Sequence, residues 1–339
     1  MFSCRLAHTL LSNRQGTKLL FTTNICLQSY RPCNNQQQPL SLQKIKTNSM
    51  KLQHLLITIL ALSLSLTACQ SDSQSSGESA EAEADSTGMA QFSEDENFQN
   101  AHDEPGEANA QNNGNMVEFP TPDANTASAY TLKPETPTDK YLFIFHEWWG
   151  LNDHIKQEAE RYFEELDSVN VMALDLYDGK MAEKREQASE LMESVNEERI
   201  RAIIQGAINK AGGDAEIATV GWCFGGGWSL KASIMTGEQG EACVMYYGMP
   251  VEEQSALEPL EAPILAHFAI QDDWVTPVVA NSFKEIVSAS GKTMQMQMYN
   301  AEHAFANPSQ VSYDAQAAKR ANTATMAFLK DELLDARVQ

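Results

Sequence analysis

The stretch Glu216–Gly227 reads EIATVGWCFGGG. Its first seven residues, mostly apolar or β-branched after Glu216, predict a buried strand, and a helix is predicted to begin near Phe224. Between them sits Cys223. A chain that bends this sharply from strand to helix has room only where its neighbours lack a Cβ, and Gly221 and Gly225 meet that need. Such a turn holds a nucleophile up at a strand end. The following helix N-terminus favours a thiolate, and the Phe224 N–H is placed to face a developing oxyanion. A phosphate-binding loop is the rival reading, but the Gly-Lys-Ser/Thr that should follow is missing. A merely buried, structural cysteine stays open on these residues alone.

Outward from this turn, strands and helices alternate. Short apolar runs predict strands at Tyr141–Phe145, Val169–Leu174, Ala242–Tyr247, Pro263–Ile270 and Thr293–Tyr299. Helical spacing is predicted over Asp153–Leu166, Met181–Val195, Ile200–Ala211, Pro277–Ala289 and Tyr313–Leu334. The pattern implies an α/β fold, a mostly parallel central sheet with helices on both faces. Chemistry in such folds gathers at the C-terminal strand ends. Three more of those ends carry reactive side chains: Gln271-Asp272-Asp273-Trp274-Val275, Glu302-His303-Ala304-Phe305 and His146-Glu147-Trp148-Trp149-Gly150.

The chain order Cys223, Asp272, His303 is that of α/β-hydrolases. His303 would take the thiol proton and Asp272 would orient and stabilise the imidazolium. Asp273 is the competing acid and is expected to face solvent. The His146–Asn152 loop is expected to offer a second backbone N–H to the oxyanion. No third ligand clusters with His146 and Glu147, so no metal and no cofactor are expected there.

These motifs together resemble the dienelactone hydrolase family, over residues 117–335. HEWWGLN (146–152), DLY (175–177), GWCFGG (221–226), QDDWV (271–275) and EHAF (302–305) fall in the family's order. The resemblance implies an α/β-hydrolase fold with Cys223 as nucleophile, Asp272 as acid and His303 as base. It makes Glu147 the carboxylate that interacts with the resting thiol, and gives the oxyanion N–H groups to Trp148 and Phe224. It places Arg185 and Asn307 at the substrate, Asn307 standing where the family carries a second arginine. Ser189 stands where a family tyrosine would lie. The implied reaction is cleavage of an ester or lactone of a small molecule through a cysteinyl acyl-enzyme. Two alternatives are a broad carboxylesterase or thioesterase, and a non-catalytic binding module of the cell envelope.

The remaining third of the 339 residues is different in kind. Overall, 24 Lys+Arg stand against 46 Asp+Glu, a net charge of −22 that argues against nucleic acid as a partner. Six cysteines without a CxxC pair supply neither a disulfide framework nor a structural zinc site. Residues 1–49 carry no acid and read as an over-long N-terminal extension. Met50-Lys51, the apolar run Leu55–Leu66 and Leu66-Thr67-Ala68-Cys69 follow the signal-peptide plan over 50–68. The last four residues resemble a bacterial lipobox, which implies acylation of Cys69 and a periplasm-facing membrane anchor. Gln70 after the cysteine favours the outer membrane. Residues 69–116 are acidic, without Lys or Arg, and too poor in apolar side chains to offset their ordering entropy. That composition predicts a disordered tether, leaving 117–339 as a monomeric hydrolase domain.

Overall fold

A computed structural model describes residues 7–12, 18–23, 88–108 and 110–334. Two units divide the chain, Met1–Glu78 and Ser79–Gln339. In the first, β1 (Ala7–Ser12) pairs antiparallel with β2 (Lys18–Thr23). The expected signal peptide over 50–68 and Cys69 lie outside the described residues. Among the described residues, no helix is long and apolar enough to cross a membrane.

The second unit is built on an eight-stranded sheet. Its strands are β3 (Asn115–Pro120), β4 (Thr126–Leu132), β5 (Lys140–Phe145), β6 (Asn170–Leu174), β7 (Glu216–Trp222), β8 (Gly240–Tyr246), β9 (Ile264–Ala269) and β10 (Met294–Tyr299). In space they run β10-β9-β8-β7-β5-β6-β4-β3. Every pairing is parallel except β3–β4 and β4–β6. This is the expected α/β-hydrolase architecture, with helices on both faces. The central strands are buried along nearly their whole length, which is why they read as continuous apolar runs. β3 and β4 were not expected. The β4 sequence TASAYTL carries small and hydroxylated residues, and its burial comes from pairing with β6 rather than from an apolar run.

The helices follow their caps. α2 (Asp153–Leu166) starts at Asn152, whose side chain accepts the Ile155 N–H, and buries Ile155, Ala159, Tyr162 and Leu166 on one face. α3 (Arg185–Glu193) is shorter than its predicted span, and α4 (Glu197–Ala211) is capped by Asn196. α6 (Pro277–Ala289) has Thr276 as cap and Pro277 in its first turn. α7 (Ala315–Leu329) is capped by Asp314 and ends in a wider turn over Lys330–Leu334.

α5 (Phe224–Thr236) is the exception, since it is buried almost all round. Its first turn lies against the ends of three strands. A Cβ on Gly225 would collide with the carbonyl oxygens of Phe145 and His146, and one on Gly226 would press on Tyr246 O. Only glycine admits that approach.

The disordered tether expected over 69–116 is corrected where the chain is described. Met89–Phe92 forms a 3-10 turn and α1 (Glu96–Asn100) a short helix, with Asp95 accepting the Asn97 N–H. Met89, Ser93, Phe98 and His102 are buried. A few well-placed apolar side chains hold this acidic segment, whatever its average composition. The ordered chain then reaches β3 at Asn115, two residues ahead of the expected domain boundary.

Gly225→Ala is expected to lower stability by about 2–3 kcal/mol through overpacking against the strand ends. Gly213→Ala, whose new methyl meets nothing within 4 Å, should stay within about 0.5 kcal/mol. Denaturant midpoints at unchanged slope measure both.

Candidate active site

Cys223, directly after β7 and capping α5, is in a conformation L-residues rarely adopt, φ 53° and ψ −118°. The strain is held from both sides: its N–H donates to Tyr246 O at 3.0 Å, and its carbonyl accepts from Gly226 N at 2.9 Å. The thiol is 1% exposed. Burial pushes its pKa up, while the charge of His303 and the Phe224 N–H oppose that rise.

His303 and Asp272 follow β10 and β9, so the parallel pairing of those strands brings the two loops together. His303 Nδ1 donates to Asp272 Oδ2 at 2.7 Å. The other carboxylate oxygen, Oδ1, accepts the N–H groups of Trp274 and Val275 at 3.0 and 2.9 Å. Burial would raise Asp272, but the imidazolium and these N–H groups hold it below the ordinary carboxylate range. Burial would likewise lower His303, yet the Asp272 carboxylate and the Cys223 sulfur outweigh it and push it up to about 10. Asp273 is exposed, as expected.

Glu147 is buried beside this pair. Burial pushes its carboxyl up to about 7, against a hydrogen bond from Asn307 Nδ2 to Oε2 at 2.5 Å and the charge of His303. Its negative form raises the Cys223 thiol further. Asn307, expected at the substrate, therefore gives its amide to Glu147. His146 braces the loop: its Nε2 accepts the Leu176 N–H at 3.1 Å, so the ring proton is on Nδ1 and goes to Glu147 O. Trp148 and Trp149 are both buried in the core.

What closes the site comes from the segment whose composition predicts a disordered tether. Residues 88–104 lie across it as a strap. The Phe98 ring, fully buried, meets Trp148 and Trp274 edge-on at 5.1 and 5.3 Å between centroids and His303 at 6.1 Å. His102 lies tilted against Phe98 at 4.3 Å between centroids and 5.4 Å from the His303 ring. A ring nitrogen of His102, Cys223 Sγ and a ring nitrogen of His303 are all within 4.8 Å of one another. Arg185, expected at the substrate, is turned to the strap, donating from Nε to His102 O at 2.5 Å and pairing with Asp103 at 3.4 Å. Ser189 donates to Ser93 O at 2.5 Å and accepts from Gln99 Nε2 at 3.1 Å. Trp274 Nε1 donates to Asp95, and Gln310 exchanges two hydrogen bonds with Asp103. The spacing of Phe92 and Phe98 within an acidic run was the one available signal.

Residues 127–333 match the Dienelactone hydrolase family. The chain belongs to that family. It is a hydrolase by that membership. It is 28% identical over 239 residues to "Protein usf" of Aquifex pyrophilus, covering 65% of this chain and 99% of the relative. To "Carboxymethylenebutenolidase 1" of Cupriavidus pinatubonensis it is 26% identical over 232 residues, covering 63% and 97%. Among solved structures, a dienelactone hydrolase-like promiscuous phosphotriesterase from metagenomic libraries superposes with a TM-score of 0.57 at 21% identity. That likeness covers 65% of this chain and 98% of the other, and it speaks to the fold. The strap precedes the residues shared with the dienelactone hydrolase family.

Alkylation of Cys223 by a small neutral thiol reagent reads both the strap and Glu147. Phe98→Ala is expected to speed it tenfold or more by opening the face over the sulfur. Cys243, buried and pushed up to about 11, stays unmodified. In wild type the rate should climb less steeply above pH 7, where Glu147 ionises and disfavours the thiolate. Glu147→Gln should lack that break and react roughly threefold faster at pH 8.

Proposed function

We propose that the chain cleaves a neutral ester or lactone of a small molecule, with Cys223 as nucleophile, His303 as base and Asp272 as its orienting acid. The supporting observation is the strained Cys223 turn, buried against a His303 whose Nδ1–H is fixed on Asp272. With that tautomer, Nε2 is the ring nitrogen that exchanges a proton with the sulfur.

The thiolate attacks the carbonyl carbon, and the carbonyl electrons move to oxygen, which the N–H groups of Phe224 and Trp148 receive. When the tetrahedral intermediate collapses, the C–O bond breaks and the leaving alkoxide takes the proton from His303. An acyl-cysteine remains. His303 then draws a proton from water, and the hydroxide so formed attacks the acyl carbon. The C–S bond breaks, the carboxylic acid leaves, and the sulfur and His303 again share one proton. Glu147 can accept the thiol proton only as the carboxylate, above about pH 7; below that it is already protonated and His303 is the acceptor.

The substrate class follows from the surroundings. A cavity of about 340 Å³ adjoins Phe224 and is lined by Met89, Met192, Val195, Trp228 and Met249, with Lys231 and Glu197 at its edge. Those two charges pair with each other at 3.1 Å. An apolar acyl or alkoxy chain fits such a wall, and this favours simple carboxylic esters as well as lactones. Arg185 is engaged by Asp103, and Asn307 by Glu147, so neither awaits a substrate carboxylate.

Cys223→Ala and His303→Ala are each expected to lower turnover of an activated aryl ester about 10⁴-fold or more, and Asp272→Asn by about 10²–10⁴-fold. Hydrolysis by Cys223→Ala within tenfold of wild type would refute the nucleophile. For a carboxylate-bearing lactone and its methyl ester, kcat/KM should favour the ester at least tenfold, roughly 1.4 kcal/mol in transition-state binding. A preference for the anion would refute the substrate class.

We also propose that the mature chain begins at Cys69, acylated and anchored in a bacterial envelope with the hydrolase facing the periplasm, in the outer membrane. The support is the leader Met50–Leu66 and the Leu66-Thr67-Ala68-Cys69 run. Intact mass of detergent-extracted protein should give a chain starting at Cys69 with added acyl mass. A chain that keeps residues 1–68 refutes it.

A further inference from the structure

His102 has no part in the mechanism above, yet it reaches the reacting atoms from outside the family-matched segment. Its Nδ1 lies 2.7 Å from Phe98 O, a carbonyl that can only accept, so Nδ1 carries the ring proton. His303 is fixed the same way by Asp272. Both Nε2 atoms are buried; that of His303 faces the Cys223 sulfur, and that of His102 has no hydrogen-bond partner among the described residues. The third atom between them is Cys223 Sγ. One proton is shared by Cys223 and His303, and it cannot also serve His102. A buried lone pair without a partner is costly, and the strap nonetheless keeps one aimed at the thiol.

We propose that His102, Cys223 and His303 form a binding site for a thiophilic divalent cation of the zinc type, which fastens the strap and silences the nucleophile. One thiolate and two neutral imidazoles are the soft, nitrogen-and-sulfur donor set that zinc selects. Zn–N bonds of about 2.0 Å and a Zn–S bond of about 2.3 Å place tetrahedral ligand atoms about 3.3–3.6 Å apart. From separations no greater than 4.8 Å, a closure of about 1.5 Å at most is required. Each imidazole is already oriented through its other nitrogen, His303 by a carboxylate and His102 by a carbonyl, as metal-bound histidines commonly are.

On binding, two Zn–N bonds and one Zn–S bond form. The proton shared by Cys223 and His303 leaves to solvent, all but one of the ion's hydration waters leave, and the remaining water keeps the fourth position. Cys223 and His303 cannot attack a carbonyl and hold the ion at once. Metal and substrate are therefore mutually exclusive, and the ion is a reversible inhibitor. The loss of turnover rests on the proposed roles of Cys223 and His303; the binding of the ion does not.

The test titrates the purified full chain with zinc chloride and, in parallel, cobalt chloride. Calorimetry should give one high-affinity zinc per chain, and the cobalt form should show a thiolate-to-cobalt charge-transfer band. Cys223→Ala loses the band. His102→Ala weakens zinc at least tenfold, and His102→Asn, which can still donate to Phe98 O, weakens it equally. His154→Ala, a half-buried histidine away from the cluster, leaves both readouts unchanged. Zinc should slow amide exchange over 96–104 in wild type and not in the His102 variants. It should inhibit wild-type hydrolysis, with reversal by a chelator, and the inhibiting concentration should rise at least tenfold in the His102 variants, which hydrolyse substrate without metal. Zinc affinity unchanged in both His102 variants, or no cobalt–thiolate band in wild type, overturns the site. Absence of all hydrolysis in metal-free wild type would instead count against the proposed function, while the binding and exchange readouts still decide the metal site.

Discussion

Everything at the reactive end of the sheet depends on how closely the first turn of α5 lies on the strand ends. Gly225 and Gly226 let backbone meet backbone there, against the carbonyls of Phe145, His146 and Tyr246. That contact forces Cys223 into a left-handed conformation and fixes the direction of its sulfur. It also aims the Phe224 N–H at the same point. The two loops that carry Asp272 and His303 need only arrive at adjacent strand ends, and the parallel β9–β10 pair delivers them. A few hundredths of the chain thus carry the constraint, and the sheet supplies the coordinates.

The strap adds a second layer to this arrangement. Ser189 and Asn307 are the positions where the sequence departs from the resemblance that otherwise organises it. In the folded chain Ser189 holds the strap backbone and Asn307 holds Glu147. Arg185 completes the pattern by binding His102 O and Asp103. Polar groups expected at the substrate are satisfied from within the chain. The apolar cavity beside Phe224 is bounded on one side by Met89, so the strap also shapes the space left for an acyl group.

The sheet was legible because central parallel strands are buried on both faces and cannot hide their apolar runs. The Cys223, Asp272 and His303 turns were legible because each sits where such a run stops. β4 was not, since Thr126–Leu132 gains its burial from a neighbour 40 residues on rather than from its own composition. The strap was not, because composition averages over a window, whereas its order rests on a few side chains, Met89, Ser93, Phe98 and His102 among them, being buried. The Asn307–Glu147 bond joins residues 160 positions apart and leaves no periodic trace.

The strap is fastened in two different currencies. Its outer end is held by exposed charge, Lys184 on Glu104 and Arg185 on Asp103, which dissolved salt screens. Its inner end is held by the buried Phe98 ring, whose exclusion from water strongly hydrated salts reinforce. As such a medium grows more saline, one fastening slackens while the other tightens. For a protein of such acidity, closure over the nucleophile is thereby buffered against the changing saltiness of its surroundings.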